Sequence, residues 1–167
     1  AAEILHHRRL GEPVIRTADM DLRLGNPFLS IANKGFVSGD LSAALGSVII
    51  QEEAVAGLVA GRRIRLVLPD ALDMVWDTTV ENLVPAGGQA GNVDMLVTYP
   101  DPADNERTVE LEVIGDFLAD EALILDQLRV TNIGNISPPA ALELHVDNRP
   151  DDGEFHFHAA SDGLLRI

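Results

Sequence analysis

Arg63-Ile64-Arg65-Leu66-Val67-Leu68 is the stretch that most restricts what this chain can become. Ile64, Leu66 and Leu68 fall on every second position, with Arg63 and Arg65 between them. A period of two gathers those apolar side chains on one face of an extended strand, whereas a helix, with about 3.6 residues per turn, would scatter them. Pro69 ends the run because proline has no N–H to give a neighbouring strand. Ser47–Gln51, just upstream, is a short β-branched run, and residues 52–61, with Gly57 and Gly61, read as a connector. Trp76, the only tryptophan, follows Met74 and Val75 and is expected to anchor the core under this unit.

The same alternation recurs along the chain. Ala18, Met20, Leu22 and Leu24 alternate with Asp19, Asp21 and Arg23. Met95, Val97 and Tyr99, then Val109, Leu111 and Val113, flank the turn-rich Pro100–Asn105 and read as a hairpin. Leu142, Leu144 and Val146 alternate with Glu143, His145 and Asp147, and Phe155 and Phe157 with Glu154, His156 and His158. Asp116–Leu125 is the best helix candidate, although Leu123–Val130 reads equally well as a strand. Amphipathic helices do not recur between the strands, as a parallel α/β fold would require. The expectation is an all-β fold, an Ig-like or jelly-roll antiparallel β-sandwich over residues 14–167, preceded by an N-terminal arm, Ala1–Pro13.

A length of 167 residues suits one domain, and 46% hydrophobic residues with a mean hydropathy of +0.10 supply a core. A net charge of −15 repels phosphate backbones and anionic lipid headgroups, which argues against nucleic acid and membrane surfaces as partners. No apolar run is long enough to span a bilayer, so membrane insertion is not expected. The absence of cysteine removes disulfides, thiolate metal sites and cysteine nucleophiles. Ala1-Ala2-Glu3, without Met, fits the product of signal-peptide cleavage after small residues, and an extracellular or cell-surface location is the expectation.

Val48-Ile49-Ile50-Gln51-Glu52, Ala56-Gly57 and Gly61-Arg62-Arg63-Ile64-Arg65-Leu66-Val67-Leu68-Pro69 form a strand, an acidic connector running into glycine, and a charged alternating strand ending in Leu-Pro. Over roughly Phe28–Val146 this resembles secreted prokaryotic β-sandwich surface domains, among them cohesin-like modules and domains of surface-layer and extracellular-filament proteins. The resemblance implies a sandwich fold and an extracellular setting, and brings no catalytic residues with it. The arm before Val14 departs from such a compact module.

Three constellations carry chemistry. If residues 148–153 close a hairpin, His145 faces His156 and Asp147 faces Glu154; Glu143, His145, His156 and His158 then share one face. Imidazoles with a carboxylate suit zinc, copper or nickel, and the same residues equally make a solvated face opposite an apolar one. Asp101, Asp104, Asn105 and Glu106 in one loop, and Asp147, Asn148, Asp151 and Asp152 in another, offer the oxygen ligands that calcium takes, or plain turn chemistry. No cofactor is expected to be required. Gly-x-Ser-x-Gly, His-Glu-x-x-His and a phosphate-cradling glycine loop are all missing, so no enzyme is expected.

The third constellation is the alternating set Ala18, Met20, Leu22 and Leu24. A strand near a chain end can add to the open edge of another copy. The expected function is a structural subunit of an extracellular filament, pilus-like fibre or surface layer, partnered by copies of itself. The rival is an extracellular binding module that docks a peptide in cohesin-like fashion or binds carbohydrate.

Overall fold

The computed structural model describes residues 27–100, 106–147 and 154–167. The arm Ala1–Pro13 and the segment carrying Ala18, Met20, Leu22 and Leu24 lie outside them. The described chain is all-β, as the alternation predicts. Its strands are β1 (Phe28–Ile31), β2 (Lys34–Gly35), β3 (Ser42–Ala44), β4 (Val48–Gln51), β5 (Arg63–Val67), β6 (Val75–Trp76), β7 (Val84–Ala86), β8 (Thr108–Glu112), β9 (Ala122–Asp126), β10 (Arg129–Thr131), β11 (Ala140–Asp147) and β12 (Phe155–Arg166). They form a sheet of order β1-β4-β9-β7, a small sheet β3-β10-β6 and a long sheet β2-β12-β11-β5-β8. Every strand pairing is antiparallel except that of β2 with β12.

The alternating residues do what their period requires. Ile64 and Leu66 of β5, Val109 and Leu111 of β8, and Leu142, Leu144 and Val146 of β11 turn one face of the long sheet inward. Val48 and Ile50 of β4 with Leu123 and Leu125 of β9 supply the facing layer, and all belong to one buried cluster. Trp76 is buried in it, and its indole N–H donates to the Arg107 carbonyl at 2.8 Å, so the ring enters the core with its polar atom satisfied. The connector after β4 closes on Glu52. Its buried carboxylate accepts the backbone N–H groups of Gly57 and Leu58 at 3.0 and 2.6 Å. Burial raises the Glu52 pKa, and those two N–H groups oppose the rise.

The structure decides the open cases. The helix candidate Asp116–Leu125 contains no helix; its end is strand β9, because Leu123 and Leu125 alternate into the core while Ala122 and Ile124 do not reach it as deeply. Asp120 and Gln127, at φ of 60° and 72°, bracket that strand with tight turns. The expected hairpin is present in looser form. Residues 93–98 meet β8 and the residue after it through isolated bridges, Thr98 with Glu110 and Val93 with Val113, rather than a continuous ladder.

Candidate assembly edge and its flanking face

Strand β12 is the longest described strand, and its two edges differ. One edge pairs with β11 from Leu165 back to Phe155, interrupted twice. At the first interruption Ala141 faces Leu164 while Glu143 faces Ala160, so Ser161-Asp162-Gly163 stands opposite Leu142 alone. The Ser161 hydroxyl replaces the missing ladder acceptor: it takes the Leu142 N–H at 3.0 Å and donates to the Gly163 carbonyl at 2.7 Å. At the second, Leu144 faces Ala159 and His145 faces Phe157, which leaves His158 as the extra residue of a bulge.

The other edge is closed over its C-terminal half. Leu165 and Arg166 pair with Lys34 and Gly35, the Leu164 N–H donates to Asn33 Oδ1 at 2.8 Å, and the Phe36 N–H donates to the Arg166 carbonyl at 2.9 Å. The Asp162 carboxylate accepts from the Ser30 hydroxyl at 2.9 Å and the Ile31 N–H at 3.1 Å. Those bonds hold its pKa below the usual carboxylate value. Gly163 lies so close to the Ile31 carbonyl that no side chain fits there. From Phe155 to Ala160, by contrast, no strand among the described residues pairs with this edge. Residues 30–36 run beside 162–166 in the same direction, and β1 lies against β12.

The outer face beside that open edge is a ladder of charge and aromatic rings. Arg65 faces Glu110 on one side and His145 on the other, and His145 faces Phe157. Arg65 Nε donates to Glu110 at 2.7 Å. Arg63 reaches Glu110 at 3.4 Å and the fully buried Asp147 at 3.1 Å. Both guanidinium groups cover the Phe155 ring, at 3.7 Å for Arg65 and 5.0 Å for Arg63. His145 Nε2 meets Glu143 at 2.8 Å, and its ring packs edge-on against Phe157 at 5.7 Å. Two arginines matched by buried carboxylates and capped by a ring make a charge-balanced face.

This register corrects the expected histidine alignment. His145 faces Phe157, and His156 faces Val146, the neighbour of His145 on β11, so the two imidazoles start from opposite faces. An offset of one residue, already present where Asp147 faces Phe155, causes the change, and the bulge then leaves His158 with no residue opposite it. Glu143 and His145 are brought together. His158 lies within electrostatic reach of His145, His156 and Arg62; burial first, and then those neighbours, lowers its pKa. Among the described residues no group of three or more His, Asp or Glu side chains is placed to hold a metal ion.

Of the acidic-loop candidates, Asp147 is a strand residue turned to Arg63. Glu106 is exposed, with φ at 62°, and its carbonyl accepts the Trp76 N–H at 3.0 Å. Asp101, Asp104, Asn105, Asn148, Asp151 and Asp152 lie outside the described residues. No described helix is long and apolar enough to cross a membrane. Sequence reasoning missed the two states of the β12 edge; Ser161-Asp162-Gly163, a polar break inside an otherwise extended run, is the signal that marks their boundary. Compared with family models, curated proteins and solved structures, the chain matches none.

Proposed function

We propose that this protein is a structural subunit that assembles with copies of itself by strand donation, in an extracellular filament, pilus-like fibre or surface layer. The observation that carries this reading is the β12 edge, closed by residues 30–36 over one half and unpaired among the described residues from Phe155 to Ala160. An unpaired edge is a template for another strand, and a donated strand satisfies its N–H and C=O groups while its alternate side chains meet the core. Ala18, Met20, Leu22 and Leu24 form an alternating set of the kind a donated strand requires. Donation from one copy to the next is head-to-tail, and head-to-tail contacts propagate into open filaments when the rotation does not close.

The chain has no cysteine, so single introduced cysteines report unambiguously. Met20→Cys protein is mixed with His156→Cys protein under mild oxidation. Strand donation between copies gives a mixed disulfide dimer, and electron microscopy of the unsubstituted protein shows filaments. A disulfide that forms only within one chain carrying both substitutions places the segment on its own domain and removes the donation reading. Monomers on the grid with no disulfide in either arrangement favour instead a module whose open edge docks the strand of a different protein.

A further inference from the structure

The most exposed large apolar side chains of the described chain are Leu41 at 88%, Ile136 at 84% and Val37 at 66%. They sit on two segments that run side by side. The Gly39 N–H donates to the Ile133 carbonyl at 2.8 Å, the Ser38 hydroxyl to the Gly134 carbonyl at 2.5 Å, and the Thr131 hydroxyl to the Leu41 carbonyl at 2.5 Å. Asp73 braces the second segment by accepting from the Asn135 backbone and side chain, each at 2.8 Å, and a side chain at Gly134 would collide with it. These aliphatic groups are therefore presented to water by hydrogen-bonded backbone. Exposed apolar side chains gathered in this way mark a protein contact.

Charge says which protein. Gly35–Ala44 and Val130–Ala141 hold one charged residue between them, Asp40, in a chain where 23% of residues are charged and the net charge is −15. Copies of so acidic a chain repel one another over most of their surface and approach at least cost where charge is scarce. The borders of the patch carry both signs. On one side lies a cleft of about 320 Å³ lined by Asn33, Lys34, Gly35, Pro139, Leu164 and Arg166, which brings the only lysine beside an arginine. The carboxylates of Asp40 and Asp73 border the two apolar segments themselves. A surface with an apolar centre and both signs at its rim is complementary to itself, the requirement of a two-fold contact.

We infer that Val37, Leu41 and Ile136 form a second self-contact, through which two copies meet face to face. It does not depend on strand donation, because it uses the loops between β2 and β3 and between β10 and β11. Its partner is another copy of this chain, set with its Lys34 and Arg166 against the first copy's Asp40 and Asp73.

The test uses the full chain. Leu41→Cys and Ile136→Cys proteins, each alone, are oxidised beside a control with cysteine at exposed Asp94. Both patch variants should form disulfide dimers at least about tenfold faster than the control, as a contact worth ~1.4 kcal/mol or more requires. The double variant Leu41→Ser/Ile136→Ser should sediment with self-association weakened by a similar factor and with an unchanged melting temperature, since both side chains face water in the single copy. Dimer formation no faster than the Asp94→Cys control, or unchanged sedimentation of the double serine variant, overturns the inference. A heterologous acidic partner on this patch gives those same two results. Failure here leaves the Met20–His156 disulfide untouched, so the two contacts are judged separately.

Discussion

The two halves of β12 make the same kind of strand and lead opposite lives. From Ser161 to Arg166 buried and exposed residues alternate without a fault, and residues 30–36 seal the edge. From Phe155 to Ala160 no residue is fully buried, the register slips at His158, and Phe157 stands 56% exposed. Both halves pair with β11, so ladder pairing on one side does not distinguish them. What distinguishes them is the second edge. Where a backbone partner approaches, as Ile31 does at Gly163, the inward side chains are covered and the strand belongs to the core; where none approaches, aromatic and imidazole side chains remain at a margin.

The largest expected effect breaks the closed half. Leu165, paired with β2 on one side and β11 on the other, is fully buried in the core, and Leu165→Ala should cost about 2–5 kcal/mol of unfolding free energy, read by denaturant titration. The matched change in the open half, Phe157→Ala, should stay within about 0.5–1 kcal/mol in the dilute single copy, because half of that ring is already in water. Equal costs at the two sites would remove the distinction. A smaller change, Gly163→Ala, tests what seals the closed half. Its added Cβ collides with the Ile31 carbonyl, and backbone must shift to admit it, for about 1–3 kcal/mol. A neutral Gly163→Ala would mean that β1 does not hold β12 as closely as the geometry requires.

How much of this was legible in the residues follows the same divide. Strands β4, β5 and β11 were readable because a single side-chain period governs them, and Trp76 because a lone large ring has few places to go. The C-terminal half of β12 was only partly readable. Ser161-Asp162-Gly163 interrupts the apolar pattern, and its polar atoms serve the backbone of Leu142 and Ile31, partners nineteen and more positions away in sequence. The register of the histidines was not readable at all. An offset of one residue at the hairpin end changes which residue His145 faces without changing one letter of local pattern, since Phe and His alternate on either alignment. The helix candidate misled for a related reason: Phe117, Leu118, Ala122, Leu123 and Leu125 fit two periods, and pairing with β4 chose between them.

The smallest expected effect sharpens the comparison through pH, because each half carries one perturbed group. In the open half, burial and the neighbouring His145, His156 and Arg62 lower the pKa of His158 below its ordinary 6.5. The unfolded chain then takes up a proton at this position before the folded chain does. Bound protons favour the unfolded state, so stability falls as pH drops below about 6.5, until the folded state is protonated as well. In the closed half, the bonds from Ser30 and Ile31 hold Asp162 below its ordinary 3.8. Its contribution is present above that value and is lost only as pH falls through the lower folded value. Thermal melts of the unsubstituted protein across these two windows should therefore show two separable slopes. His158→Gln should flatten the one just below 6.5 and leave the acid one, and Asp162→Asn should reduce the acid one, which Asp73 and Asp77 share, and leave the upper. If His158→Gln leaves the upper slope intact, the imidazole at the bulge is not buried as its surroundings require, and the open half is looser than its register implies.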